Sequence, residues 1–176
     1  MSTFTNVDSI LLIGVSGAGK TAVGNELAKN LGKKFIDSDQ EIEKLYQVDI
    51  ELLIKNGRES IFREFEELYL LNKLESNKDE VFALAPGGVE SLEVQKIIKG
   101  YKYVILLDIN IETALERVRK ERPLLKILDE KTWVKLQKER KRLFERLATD
   151  IIHINTESIE EVAAIIKKRL NIPISG

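Results

Sequence analysis

The apolar run Ser9–Gly14 (SILLIG) leads straight into Gly14-Val15-Ser16-Gly17-Ala18-Gly19-Lys20-Thr21. This junction constrains the fold more than any other stretch of the chain. The first piece is too apolar to face water on either side and reads as a buried strand. The second fits G-x-x-x-x-G-K-[ST]. From Lys20 to Leu31, residues Val23, Leu27, Ala28 and Leu31 share one helical face, and Gly32 closes the helix. The alternation continues downstream. Strands are expected at Lys34–Asp37, Val81–Ala85, Tyr103–Asp108 and Ile151–Asn155. Helices are expected at Gln40–Tyr46, Asp49–Asn56, Ser60–Leu74, Ile111–Lys120, Thr132–Leu147 and Ser158–Leu170. Strands this apolar, alternating with helices, predict an α/β fold: a parallel sheet with helices on both faces. In such a sheet the ligand sits beyond the carboxyl ends of the strands. The loops after Ile13, Ile36, Ala85 and Asp108 are therefore expected to meet at one cleft. Pro86-Gly87-Gly88 is expected to be a turn.

The glycine-rich junction has a chemistry of its own. Glycines let the backbone curl so that successive N–H groups point at phosphate oxygens. The helix that follows adds the positive end of its dipole. Lys20 is placed to reach the β- and γ-phosphates, and the Thr21 hydroxyl to ligate Mg²⁺. Gly17, Ala18, Gly19, Lys20, Thr21 and Ala22 are thus the candidate nucleotide-binding residues. The cradle implies phosphoryl transfer or hydrolysis without naming the acceptor. A length of 176 residues argues against large motor-type NTPases, and an N-K-x-D-type guanine signature is missing.

Composition removes other classes. The chain has no cysteine and a single histidine, His153, so disulfides, thiolate zinc sites, cysteine nucleophiles and multi-histidine metal sites drop out. Lys and Arg number 28 against 29 Asp and Glu, a balance that argues against a nucleic-acid binder. No run approaches the roughly 20 apolar residues that span a membrane. The polar start, Met1 to Asp8, is unlike a signal peptide. The expected location is the cytoplasm.

The acceptor side is less explicit. Phe35-Ile36-Asp37-Ser38-Asp39 ends the second strand, and alternation along an extended segment sends Asp37 and Asp39 to the same side. One acid could hold Mg²⁺ through water while the other accepts a proton from an acceptor hydroxyl. Equally, Asp39 precedes the helix at Gln40 and suits its N-cap. Residue type leaves both roles open. Arg63 and Glu66 lie one turn apart and can pair, a spacing more often seen as a solvated surface pair. Arg122-Pro123-Leu124-Leu125 places an arginine just before a helix break. Glu139-Arg140-Lys141-Arg142 is a charge run of the kind that usually forms a solvated face. Neither His153 nor Trp133 carries a signal of function.

In order and spacing, these pieces resemble the shikimate kinases over nearly the whole chain. The shared set is the cradle Gly14–Thr21, F-x-D-x-D-x-x-I-E at Phe35–Glu43, E-x-x-F-R-x-x-E at Glu59–Glu66, the glycine turn Gly87-Gly88, R-P-L-L at Arg122–Leu125 and E-R-x-x-L-[YF] at Glu139–Phe144. The resemblance implies a five-stranded sheet in the order 2-3-1-4-5 and one kinase domain over residues 1–176. Acceptor-binding helices would occupy about 39–74 and a lid about 119–131. It implies a monomer that uses ATP and Mg²⁺ to convert shikimate to 3-phosphoshikimate. By the same resemblance Lys20 contacts phosphates, Thr21 and Asp37 serve the metal, and Asp39 is the base on the acceptor hydroxyls. Arg63 and Arg140 clamp the substrate carboxylate, with Glu66 orienting them. Arg122 is the lid arginine, and Arg117 packs on adenine. Asp108 keeps a structural or capping role.

The chain also departs from the pattern. Ala85-Pro86-Gly87-Gly88 stands where three glycines are usual, and Pro86 has no N–H to donate. Either Gly87 or Gly88 would then supply the backbone contact to substrate. The family's glycine before the F-R element is replaced by Arg58. The spelling GVSGAGKT is similar to that of gluconate kinases, so a kinase for gluconate or another small metabolite is the alternative. A nucleotide-binding module without catalysis is the alternative of another class.

Overall fold

The computed structural model of the chain describes residues 9–76, 78–121 and 129–171. Five strands, β1 (Ile10–Ile13), β2 (Lys34–Asp37), β3 (Glu80–Ala83), β4 (Tyr103–Ile109) and β5 (Asp150–Ile154), form one parallel sheet. Its order is β2-β3-β1-β4-β5, as expected. All four residues of β1 are buried, so both faces of the central strand are covered. This is the physical meaning of its unbroken apolar run.

The helices are α1 (Lys20–Leu31), α2 (Ser38–Tyr46), α3 (Ile50–Lys55), α4 (Glu59–Ser76), α5 (Leu92–Ile98), α6 (Ile111–Glu121), α7 (Glu130–Leu147) and α8 (Ile159–Leu170). The stripe Val23, Leu27, Ala28 and Leu31 of α1 is buried, each large aliphatic contributing roughly 1.5–3 kcal/mol. Gly32 ends α1 at φ 65°, with its N–H returned to the Ala28 and Lys29 carbonyls. Ser158 caps α8 in a capping box with Glu161. A second, smaller cluster of Ile42, Ile50 and Phe62 joins α2, α3 and α4 outside the main core. There the Tyr46 and Phe65 rings stack at 4.3 Å.

Three local expectations are corrected. The cap of α2 is Asp37, not Asp39: the Asp37 carboxylate accepts the N–H groups of Asp39 and Gln40, and the helix begins at Ser38. The earlier residue wins because its backbone is still extended while its side chain reaches the N2 and N3 amides. Pro86–Glu90 is a short 3₁₀ helix rather than a simple turn, with proline at its first turn, where no donor is needed. Helix α5 has no counterpart in the sequence reading. It is seven residues long, too short for a clear period, and is started by the Ser91 side chain on the Val94 N–H.

Gly24 sits on the buried face of α1 under the Phe35 ring. A Cβ there would lie 2.3 Å from that ring. In an exposed helix, Gly→Ala gains about 1 kcal/mol. Here overpacking costs about 1–3 kcal/mol and should win. Gly24→Ala is expected to lower the urea midpoint, and adding Phe35→Leu to recover part of the loss. A midpoint at or above wild type would show that the ring yields freely.

Candidate active site

The three loops after β1, β2 and β3 line one cavity of about 340 Å³. Its walls include Gly17, Gly19, Lys20, Thr21, Asp37 and Asp39, with Ala85 and Pro86 closing it. The fourth expected contribution differs: β4 reaches the cavity through Val118 of α6, not through its own loop. Asp108 turns away instead, pairing with Lys141 at 2.7 Å and His153 at 2.9 Å, while Asn110 starts α6. Asp108 is thus a tie between β4, α7 and β5, and no cap.

The loop at the start of the cavity has the backbone that its glycines permit. Gly17 and Gly19 lie at φ 83° and 88°, left-handed values that other residues resist. No acid sits in the first turn of α1, so the positive end of the helix is uncompensated by its own side chains. Lys20 Nζ donates to the Gly14 and Val15 carbonyls at 2.8 and 3.1 Å, spanning the loop. The Thr21 hydroxyl donates to Asp37 Oδ2 at 2.6 Å. Asp37 therefore holds α1 with one oxygen and caps α2 with the other. Asp39 shares the cavity with Asp37, but as a residue of the first turn of α2 and not through strand alternation. Buried Ser38 accepts the Ala85 N–H at 2.8 Å, fastening α2 to the end of β3.

Arg117 reaches the outer side of the loop. It donates to the Gly17 carbonyl at 3.4 Å and borders a second cavity of about 300 Å³ with Ala22, Ile154 and Glu157. Arg122, with the Pro123-Leu124-Leu125 break and most of the expected lid, lies outside the described residues.

A third cavity of about 210 Å³ adjoins the first across the Pro86–Gly87 bond. Arg63, Glu66, Gly87, Gly88 and Glu90 line it. The Arg63–Glu66 pair is not a solvated surface pair: Glu66 is 2 % exposed and accepts from Arg63 at 2.7 Å. Glu59 takes the other terminal nitrogen of Arg63 at 2.8 Å. Burial opposes the charge on Arg63, yet these ion pairs outweigh it and hold its pKa above the usual value. A Cβ at Gly87 would fall 1.9 Å from the Arg63 guanidinium, so any larger residue there would displace that side chain. Gly88 does a different job. Its N–H is taken by the Ala85 carbonyl, and its Cβ would strike Leu70.

Arg140 also departs from the solvated-face reading. It is 6 % exposed, with its Nε bonded to Glu90 at 2.8 Å, whereas its neighbours Glu139 and Arg142 are exposed. It does not itself line the third cavity but stands behind Glu90, close enough to act electrostatically on Glu66. One turn earlier on α7, buried Gln137 accepts the Ser16 N–H at 3.3 Å, joining this helix to the glycine loop. Gln137 and Glu90 were missed in the sequence. A polar residue one turn before a site arginine was the only available signal for the first, and the second had none.

Comparison with known proteins settles the class. The shikimate kinase family profile matches residues 16–171. The chain belongs to the shikimate kinase family. Among curated members, the shikimate kinase of Baumannia cicadellinicola is 38% identical over 159 residues, covering 88% of this chain and 91% of that protein. Among solved structures, the shikimate kinase from Acinetobacter baumannii in complex with shikimate is 32% identical, covers 96% of each chain and superposes with a TM-score of 0.83. That from Aquifex aeolicus is 29% identical with a TM-score of 0.75, covering 93% of this chain and 96% of its own. The chain is therefore a small-molecule kinase that uses ATP. No described helix is long and apolar enough to cross a membrane.

The acid at the centre of the third cavity has an unusual titration. Burial pushes the Glu66 carboxyl up, to about 7, with Arg63 pulling down, Asp39 pushing up and Arg140 pulling down. Its Oε1 is buried with no hydrogen-bond partner. The folded state then holds this proton to higher pH than the unfolded chain. Its stabilising contribution is full below about pH 4.5 and is lost as pH rises to about 7. Relative to Glu66→Gln, the wild type should lose stability across that window, by a few kcal/mol at most, and run parallel above it. Urea denaturation of both proteins from pH 4 to 8 checks this. Parallel curves throughout would show that Glu66 titrates normally.

Proposed function

We propose that this chain transfers the γ-phosphoryl group of ATP to the 3-hydroxyl of shikimate, giving 3-phosphoshikimate and ADP. The observation that carries the reading is the juxtaposition of two cavities across Pro86–Gly87, one built for phosphates and one walled by Arg63. A planar guanidinium grips a carboxylate bidentately, which suits an acceptor that is both an acid and an alcohol.

Family membership and the placement of the described residues support the following roles. The N–H groups of Gly17–Ala22 and the end of the α1 dipole cradle the β- and γ-phosphates, and Lys20 exchanges its two carbonyl partners for phosphate oxygens. Asp39, which lines the phosphate cavity and acts electrostatically on Glu66 of the third cavity, takes the hydroxyl proton. The acceptor oxygen bonds to the γ-phosphorus, and the bond from that phosphorus to the bridging oxygen breaks, leaving ADP. Arg63 and Arg140 hold the acid, Glu66 orients Arg63, and of the two glycines Gly87 contributes the main-chain contact, since the Gly88 N–H is bonded to the Ala85 carbonyl. Arg117 packs on the base, and Arg122 closes on the phosphates from the lid.

The donor set also fits Mg²⁺. No cluster of three His, Cys, Asp or Glu suited to a metal exists among the described residues. Mg²⁺ binds through one or two protein oxygens plus substrate phosphates and water, which Thr21 and Asp37 can provide. When bound, the ion neutralises charge on the β- and γ-phosphates. On this reading, residues 1–176 form a single kinase domain acting as a monomer.

Three measurements test the assignment. A coupled ADP-release assay with shikimate, gluconate and nucleoside monophosphates side by side should show turnover with shikimate alone; a preference for gluconate would replace the acceptor. Asp39→Asn should lower kcat by at least about 100-fold while ATP binding survives, since a positioned base typically supplies that factor or more. Wild-type kcat in this variant would remove Asp39 from the base role. Arg63→Ala should instead raise KM for the acid by about 10-fold or more, with the KM for ATP unchanged.

A further inference from the structure

The two arginines of the acceptor site are engaged on opposite edges. Arg63 spends both terminal nitrogens on its own helix: Nη1 on Glu66 at 2.7 Å and Nη2 on Glu59 at 2.8 Å. Arg140 is bonded only through Nε, to Glu90 at 2.8 Å, and neither of its Nη groups has a hydrogen-bond partner among the described residues. A guanidinium presents two forks to a carboxylate, the end-on Nη1/Nη2 pair and the side-on Nε/Nη pair. Glu90 takes the side-on edge of Arg140 and leaves its end-on fork without a hydrogen-bond partner among the described residues.

We infer that Glu90 is a positioning residue for acceptor binding, fixing Arg140 by its Nε edge so that its two Nη groups grip the substrate carboxylate end-on. The inference rests on the shikimate reading above and deepens it by naming what orders the clamp. The tether comes from a separate element. Glu90 ends the 3₁₀ helix Pro86–Glu90, whose Gly87 admits Arg63, so one short segment sets the placement of both arginines. The opposing effect is repulsion between Glu90 and the acceptor's own carboxylate. The Glu90 side chain is 41% exposed and its charge is screened by water, whereas Arg140 is nearly enclosed. Ordering of the buried arginine should therefore outweigh repulsion from the exposed acid.

The test is steady-state kinetics of Glu90→Ala and Glu90→Gln with shikimate and ATP, with thermal denaturation as a check of folding. Glu90→Ala should raise KM for shikimate roughly 3- to 10-fold, the range expected from releasing one rotamer-rich side chain. Its kcat and its KM for ATP should stay within about 2-fold of wild type, as expected when uniform binding alone is lost. Glu90→Gln keeps an oxygen in reach of Nε and should restore most of the lost affinity. An unchanged or lower shikimate KM in Glu90→Ala overturns the inference, a lower value meaning that Glu90 competes with substrate. An equal loss in both variants also overturns it, because charge rather than the tether would then be responsible. A wild type with no activity on shikimate removes the reading and the inference together. An active wild type with an indifferent Glu90→Ala removes only the inference.

Discussion

The structure turns on one carboxylate. Asp37 ends β2, and its two oxygens face different helices: one receives the Thr21 hydroxyl from the first turn of α1, the other the N–H groups that open α2. The phosphate loop and the helix that carries Asp39 are thereby referenced to the same atom group. Ser38 adds a second fastening, to the backbone beyond β3. Because β2, β3 and β1 are parallel neighbours, their carboxyl ends lie side by side, and the polar groups that follow them converge without any long loop. In a reaction that depends on positioning more than on covalent chemistry, this mutual referencing is the main contribution the protein makes.

The wall proposed for the acceptor has a different logic. Its two arginines are surrounded by acids: Glu59 and Glu66 on Arg63, Glu90 on Arg140, and Asp39 close enough to raise Glu66 further. Unpaired guanidinium groups at this depth would be costly, so the site keeps them paired in the absence of substrate. Burial, with a smaller push from Asp39, makes Glu66 hold its proton to about pH 7 and so reduces the negative charge of the wall. In the proposed role, an incoming carboxylate meets guanidinium groups that already have acidic partners.

Much of this was legible in the chain, for reasons that differ by residue. The phosphate cradle was readable because its parts are contiguous and each glycine answers a local backbone demand. The stripe on α1 was readable because its period is clean. Asp37 and Asp39 were placed on the same side by strand alternation, and they do share a wall, but through a helix start that alternation does not describe. The run Glu139–Arg142 looked like a solvated face because residue type cannot show which member of a run points inward. Tertiary packing turned Arg140 in and left Glu139 and Arg142 out. Helix α5 escaped because seven residues carry too little periodicity.

By itself, the order of residues determined the class of fold, the strand order through its family pattern, the identity of the phosphate loop and the family of the enzyme. These properties are encoded by local rules: apolar period, glycine placement and contiguous motif. Only the tertiary structure decided which acid caps α2, which glycine admits the Arg63 guanidinium, how deeply Glu66 and Arg140 are buried, and that Glu90 and Gln137 touch the site at all. The cap is a local choice between residues two apart; the others depend on groups tens of residues apart meeting in low-dielectric surroundings, where partner and burial, not residue type, set the energy.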